Sequence, residues 1–423
     1  MTDKIAVIGG GITGLFTTLY LANAGFNVHL YERGDIASGT SGHFHGMLHS
    51  GARYAVNDEI SARECANENR IIFEMASDFV DDTGGYFVAL NGEEAEYGSI
   101  LSRRCNALGI LSEEIQPEEF LKLEPFVNPS VQKVLKVPDK IIHSYEFSVA
   151  VALEAMMNGA SISTNKNVEK INVEAGSVKG ITVSGVNGTR RESFDYVVNA
   201  TGPYSSGLLS RSGVETPPLM PAVGSMAVYN GRFVNSVINR MRKPSDGDIF
   251  LPYGEVSILG TLATVVDNPE EFEVDSEDIE MMVEEGNEMI PALGGMKYSR
   301  IYSAIRPLVD YSSKSAREAT RSFRIIEHTE DGLDGLVSLV GGKFTTGRLI
   351  GEQTADYVAG KFGNRDRSKK KVDLNSTYER FSRSGKCRYP ELLKMLGDKR
   401  GTIDEERLNP ALSLIFAASI CID

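Results

Sequence analysis

The chain contains no tryptophan, and its 423 residues include only four cysteines and six histidines. Without indole rings, any aromatic wall around a ligand has to come from the 16 tyrosines or 18 phenylalanines. Cys65, Cys105, Cys387 and Cys421 are scattered. They form no CxxC pair and no Cys/His spacing of the kind that binds zinc, so no metal is expected. So few thiols point to a reducing, intracellular compartment. Positive charge is also scarce: 44 Lys and Arg stand against 58 Asp and Glu, a formal net charge of -14. That balance excludes a general nucleic-acid binder, which needs a basic surface, but it does not exclude a small basic pocket. No apolar run reaches the ~20 residues of a membrane-spanning helix. The most apolar stretch, 410–422, is too short. The first residues, MTDKIAVIGGGITG, enter a strand at once and lack a charged lead followed by a cleavable apolar core, so no secretory signal is expected. The expected location is cytoplasmic, with peripheral attachment to the inner face of the cell membrane left open.

What is present is ordinary globular composition, 41% apolar and 24% charged, at a length that suits two or three domains. Residues 5–8 form a β-rich run, a glycine cluster follows, 15–24 reads as a helix closed by Gly25, and 28–31 reads as a second strand. This is the βαβ opening of a doubly wound sheet. Helical spacing recurs over 59–76, 93–108 and 148–158. Short strands with turns at Gly176, Gly185 and Gly188 fill 161–200 and close on an apolar strand at 196–199. Residues 218–325 alternate strand-like runs with one acidic helix at 276–289, whereas 336–340 is again a buried-type strand, followed by Gly341-Gly342-Lys343 and a helix to about residue 361. The expected class is therefore α/β. A discontinuous Rossmann-like, dinucleotide-binding domain (1–80, 145–217 and 326–365) carries an inserted α+β domain (81–144 and 218–325) on a mainly antiparallel sheet. A short C-terminal segment, 366–423, follows. Its basic run, Lys369 to Lys371, reads as a solvated linker, with contact to a partner subunit or to anionic lipid as the alternative.

Gly9, Gly11 and Gly14 form GxGxxG between the first strand and helix. The first glycine permits the tight turn, the second admits a pyrophosphate close to the backbone, and the third lets helix and strand pack closely. The helix N-terminus, with Ile12 and Thr13, then faces the phosphates with its positive end. Glu32, ending the second strand, suits a ribose 2′-hydroxyl. The fingerprint alone does not separate NAD from FAD. Three later features favour a flavin. Arg33 leads into the small segment containing Thr40 and Ser41. The strand 196–199 ends in Ala200, Thr201 and Gly202. A late return, Gly342 to Thr346, opens a helix whose N-terminus suits the anionic reduced ring.

Further along, His45-Gly46-Met47-Leu48-His49-Ser50-Gly51-Ala52-Arg53-Tyr54-Ala55 and Ser61-Ala62-Arg63-Glu64-Cys65 resemble the FAD-dependent glycerol-3-phosphate dehydrogenases, nearest the large catalytic subunit of the anaerobic type. Arg242-Lys243-Pro244-Ser245-Asp246, Gly260-Thr261, Ile305-Arg306-Pro307-Leu308, Asp331-Gly332-Leu333-Asp334-Gly335 and Gly341-Gly342-Lys343-Phe344-Thr345-Thr346 extend the likeness over residues 3–360. It implies the glutathione-reductase-type FAD fold and non-covalent FAD. It also implies oxidation of sn-glycerol 3-phosphate to dihydroxyacetone phosphate, with electrons passed at the membrane to a quinone or to a redox-partner subunit. By this resemblance Arg53, Arg306, Arg321 and Lys343 bind substrate, His49 is the base, and Tyr54 borders the substrate. The flavin contacts are Gly9, Gly11, Ile12, Thr13, Gly14, Glu32, Arg33, Thr40, Ser41, His45, Gly46, Leu48, Ala200, Thr201, Gly202, Gly342, Lys343, Phe344, Thr345 and Thr346.

The chemistry is consistent with this assignment. Oxidising a secondary alcohol sends a hydride to the flavin while a base takes the hydroxyl proton, and an imidazole's ordinary pKa of ~6.5 suits that base. A phosphate calls for two or three cations, preferably Arg for its bidentate contacts. The likeness fails in two places. Val223 stands where the anaerobic enzymes often carry a basic residue, and no cysteine cluster follows residue 412, so the electron acceptor is not assigned. The rival readings are an FAD-linked 2-hydroxyacid (L-2-hydroxyglutarate-like) or amino-acid oxidoreductase of the same fold, a non-catalytic FAD-binding subunit, and an NAD-dependent dehydrogenase. Arg53 discriminates against the 2-hydroxyacid enzymes, which share the neighbouring His49-Ser50-Gly51.

Overall fold

The structure, a computed structural model, describes residues 3–217, 219–309, 322–330, 332–363 and 371–384. Arg321, Asp331, Cys387, Cys421, Lys369, Lys370 and the apolar stretch 410–422 lie outside the described residues. The chain divides into two compact units. One gathers the described residues of Met1–Gly42, Ser144–Leu219 and Phe323–Asp423; the other gathers those of His43–His143 and Met220–Ser322.

The first unit is built on a six-stranded sheet with the order Phe323–Glu327, Leu336–Gly341, Tyr196–Asn199, Lys4–Ile8, Asn27–Tyr31, Ser161–Ser163. The pairings are parallel except at the Phe323–Glu327 edge. Ile5, Ala6, Val7, Val28, Leu30, Val197 and Val198 are wholly buried, as a parallel sheet with covered faces requires. The helix Ile12–Asn23 packs against Ser144–Met157 and Gly347–Lys361. The last pair comes close because the late helix presents two glycines. A Cβ on Gly351 would lie 2.5 Å from the Phe16 Cβ, and one on Gly347 would lie 2.6 Å from the Ile12 Cγ2. A separate antiparallel sheet, Asn167–Glu174, Ser177–Gly185 and Gly188–Glu192, accounts for the short strands between residues 161 and 200.

The second unit is built on a nine-stranded sheet. Its order is Thr264–Val265, Met220–Asn230, Val256–Gly260, Ile249–Tyr253, Val237–Arg240, Gly85–Ala89, Lys133–Val137, Glu113–Ile115, with Arg300–Leu308 also paired to Met220–Asn230. All its pairings are antiparallel but one, Val237–Arg240 with Gly85–Ala89. The acidic helix Ser276–Met289 turns Ile279, Met282 and Met289 into a core with Tyr229, Phe250, Leu259 and Phe120. Glu277 and Asp278 occupy its first turn, where carboxylates complement the positive helix end.

Residues 43–80, expected with the nucleotide-binding domain, fall in the second unit. The reason is a small antiparallel sheet, Met47–Leu48 and Val80–Asp81 on either side of Lys140–Ile142. It ties the segment after the first glycine loop to the strands around residue 140. Asn69 reinforces the tie by donating to the carbonyls of Leu48 (3.0 Å) and Pro138 (3.2 Å).

Candidate functional site

In the first unit, the fingerprint glycines stand where their geometry demands them. Gly9 has φ +112, and a Cβ there would meet the Ala200 carbonyl oxygen at 2.5 Å. A Cβ on Gly14 would meet the Gly9 carbonyl oxygen at 2.0 Å, so strand and helix could not approach with any other residue in place. Gly11 is the helix N-cap; it offers no side-chain cap, and the first turn carries no acidic residue. The backbone N–H groups of that turn therefore form a positive end suited to a pyrophosphate. Ser41 Oγ accepts from the Ile12 N–H at 3.0 Å, which brings the segment containing Thr40 and Ser41 onto the loop.

Glu32 closes the other side. Its Oε2 accepts the Gly10 N–H and its Oε1 the Gly34 N–H, both at 2.7 Å. A carboxylate oxygen has a second acceptor site, so the group can still take a ribose hydroxyl. Arg33 lies over the Tyr204 ring, 4.0 Å from its centroid. The turn after the strand Tyr196–Asn199 is pinned by the buried Asn199, whose amide donates to Ser205 Oγ at 2.8 Å and whose oxygen accepts from Thr201 Oγ1 at 2.7 Å. That sets the backbone of Ala200, Thr201 and Gly202. At the late return, Gly341 and Gly342 both have φ +82, and a Cβ on Gly342 would meet the Ile350 Cδ1 at 2.5 Å. The Lys343 N–H donates to Thr346 Oγ1 at 3.1 Å, ordering the turn Phe344–Thr346 ahead of a helix with no acidic residue in its first turn. These residues fit a dinucleotide. The glycine cradle, the unacidified helix ends and Glu32 are what its pyrophosphate and ribose require.

The second unit brings together His45, His49, Arg53, Tyr54 and Arg306. His49 follows the strand Met47–Leu48 and is buried. Its ring meets the Tyr54 ring edge-on at 5.3 Å and the His45 ring edge-on at 5.7 Å. The backbone reverses at Gly51 (φ +93), where a Cβ would meet the Ala62 carbonyl oxygen at 2.2 Å; the single turn Ala52–Tyr54 follows and carries Arg53. Arg306, on Arg300–Leu308, donates from Nη2 to Thr261 Oγ1 at 2.7 Å. Gly224 makes room for it on the neighbouring strand, since a Cβ there would lie 2.5 Å from that same Nη2.

Two cations bear on His45. Its imidazole is pushed down to about 3, first by burial and then by Arg306 and Arg53. Positive groups from distant parts of the sequence therefore act at one place, and His45 is neutral there.

Several contributors carried no role in the reading of the sequence. Asp248, fully buried, takes Arg53 Nη2 on one oxygen (3.4 Å) and Arg242 on the other (2.9 Å), and also accepts the Ser245 N–H. Arg242 reaches Glu285 as well, at 2.8 Å. Arg53 Nη1 is buried with no hydrogen-bond partner among the described residues. Asp139, also buried, accepts the Ser50 N–H at 2.7 Å and the Asn239 amide at 3.4 Å, so it anchors the segment just after His49. Burial holds its carboxyl above the usual range, and hydrogen bonds from Ser50 oppose that rise. The runs 242–246 and 260–261 were the only signal for Asp248 and Thr261, one beside Asp248 and the other containing Thr261. Of the expected substrate residues, Lys343 lies in the first unit and Arg321 lies outside the described residues. Among the described residues no cluster of His, Cys, Asp or Glu is arranged to hold a metal, and no helix is long and apolar enough to cross a membrane.

Residues 4–357 match the family described as FAD dependent oxidoreductase. The chain belongs to that family. It is 36% identical over 377 residues to the A1 subunit of anaerobic glycerol-3-phosphate dehydrogenase from Haloferax volcanii, covering 86% of this chain and 64% of that one. Against the corresponding subunit of the Escherichia coli (strain K12) enzyme it is 36% identical over 369 residues, covering 86% and 68%. The chain thus spans about two thirds of the length of these relatives. The solved structure of dithionite-reduced L-alpha-glycerophosphate oxidase from Mycoplasma pneumoniae with FAD bound superposes with a TM-score of 0.70 at 21% identity, over 84% of this chain and 94% of that one. At that identity the match establishes a shared fold. The expectations of an α/β FAD-binding fold and of FAD as the cofactor are met.

Proposed function

We propose that this chain is the catalytic part of an FAD-dependent glycerol-3-phosphate dehydrogenase, oxidising sn-glycerol 3-phosphate to dihydroxyacetone phosphate. The observation that carries the reading is that Arg53 and Arg306, distant in sequence, both act on His45, whose ring meets that of His49. Two guanidinium groups beside a buried imidazole suit a small phosphorylated alcohol, and the two relatives at 36% identity carry that activity in their names.

When bound, FAD supplies the acceptor for the hydride that leaves C2 with its electron pair. Gly9, Gly11, Gly14, Glu32, Ser41 and the turn Phe344–Thr346 would hold it. Arg53 and Arg306 take the phosphate; Arg53 offers its buried Nη1 and Arg306 is steadied by Thr261. His49 removes the C2 hydroxyl proton, and the C2–O bond becomes a carbonyl. Tyr54 closes one side of the His49 ring. In this reading electrons leave through a partner subunit or a quinone, and the protein works on the cytoplasmic side in peripheral contact with the membrane.

The test is an anaerobic titration of purified, FAD-loaded protein. Glycerol 3-phosphate should bleach the flavin and L-2-hydroxyglutarate should not. Bleaching by the hydroxyacid alone would move the chain to the 2-hydroxyacid enzymes.

A further inference from the structure

His45 stands among the residues expected to touch the flavin, yet its surroundings are those of the substrate cations. Its Nδ1 accepts the Met47 N–H at 3.0 Å. In a neutral imidazole the proton must then sit on Nε2. The ring makes no other hydrogen bond among the described residues, and the residue is half-buried rather than sealed, so Nε2–H is left to donate to a ligand. Its remaining contacts are rings: Phe44 at 5.5 Å and His49, edge-on, at 5.7 Å. Burial first, and then Arg306 and Arg53, hold its pKa far below the ordinary imidazole value, to about 3, so the ring is neutral near neutral pH and is poorly suited to serve as the base. What is left to it is donation of one hydrogen bond in a fixed direction.

We propose that His45 is a second substrate-contacting residue, which donates Nε2–H to the C2 oxygen of the substrate while His49 takes that oxygen's proton. The inference rests on the glycerol-3-phosphate reading and deepens it. The two rings divide the work because their surroundings differ. His49 accepts the proton released as C2 loses hydride. The His45 N–H bond stays intact throughout and stabilises the oxygen as negative charge gathers on it before the carbonyl forms. A neutral donor also adds no third positive charge beside Arg53 and Arg306, which would otherwise oppose protonation of His49.

The experiment compares FAD-loaded wild type, H45A and H45Q, mixed anaerobically with saturating glycerol 3-phosphate in a stopped-flow instrument. Flavin content and photoreduction are measured alongside. H45A should be reduced at least about tenfold more slowly, with FAD content and photoreduction unchanged. H45Q, whose amide N–H can replace Nε2–H, should recover to within about threefold of wild type. Three outcomes overturn the proposal: H45A reduced at the wild-type rate, H45Q as slow as H45A, or loss of FAD in both variants, which returns His45 to the cofactor site. Failure of wild type itself to bleach would overturn the glycerol-3-phosphate reading instead, and the His45 role with it.

Discussion

Asp248 offers the most exposed point of attack on this account. Its carboxylate is wholly inaccessible and is the ion-pair partner of Arg53 among the described residues, while Arg242 has Glu285 in reserve. Asp248→Asn keeps the shape and an acceptor for the Ser245 N–H but removes the charge. Arg53, whose side chain is 8% exposed, then has no counter-ion. Breaking a buried pair by removing one partner costs about 3–5 kcal/mol. The 3.4 Å contact is long, so we take the lower figure, about 3 kcal/mol. For a unit of this size each kcal/mol moves the melting temperature by roughly 2–4 °C, so the variant should melt roughly 6–12 °C below wild type. The assay is thermal unfolding of the holoprotein followed by circular dichroism, with FAD content and the KM for glycerol 3-phosphate measured in parallel. KM should rise about tenfold or more, because Arg53 loses the group that aims it, while FAD content holds. A melting temperature within 2 °C of wild type, with an unchanged KM, would refute the reasoning.

Three further perturbations test other parts of the account. Gly224→Ala puts a methyl 2.5 Å from Arg306 Nη2; the flexible guanidinium must swing away, so KM should rise with stability nearly unchanged, and steady-state kinetics with a melting curve check both. Gly14→Ala forces a methyl to 2.0 Å from backbone, so the purified protein should lose its flavin absorbance near ~450 nm and melt earlier. Asp139→Asn concerns pH. Burial raises the folded-state carboxyl of Asp139 above its unfolded value, so its contribution to stability is present below the unfolded pKa, ~3.9, and is lost as pH rises through the folded one. Relative to the Asn variant, wild type should therefore lose stability between pH 4 and pH 7 in urea titrations. The amide fits the site if Asn239 turns over, because its Oδ1 is buried without a hydrogen-bond partner among the described residues and can accept from the new amide. An Asn variant that is less stable than wild type by more at pH 7 than at pH 4 would contradict this.

Much of the first unit was legible because its signals are local. The strand–glycine–helix–strand opening, Gly25 and Glu32 lie within 32 residues and obey short-range rules of turn, packing and capping. The late Gly341-Gly342 turn is equally local. The second unit was legible as antiparallel and α+β, but its borders were not. Residues 43–80 belong to it through strands of only two residues, Met47–Leu48 and Val80–Asp81, too short to show an alternation. The parallel pairing of Val237–Arg240 with Gly85–Ala89 joins segments some 150 residues apart, and no periodicity encodes that. Of the candidate residues, His49 and Arg53 were singled out through a dense motif. Asp248, Asp139 and Gly224 were not given roles because what each does is defined by a partner distant in sequence: Arg53, Ser50 and Arg306 respectively. An acid or a glycine alone says nothing of the cation it orients or admits.

The central claim is that this chain transfers hydride from a phosphorylated secondary alcohol to FAD. The most direct measurement is a single anaerobic turnover: FAD-loaded protein is mixed with a known amount of glycerol 3-phosphate, flavin bleaching is recorded, and the quenched mixture is assayed for dihydroxyacetone phosphate. One dihydroxyacetone phosphate should form for each flavin reduced. A flavin that stays oxidised, or one that bleaches without that product appearing, would contradict it.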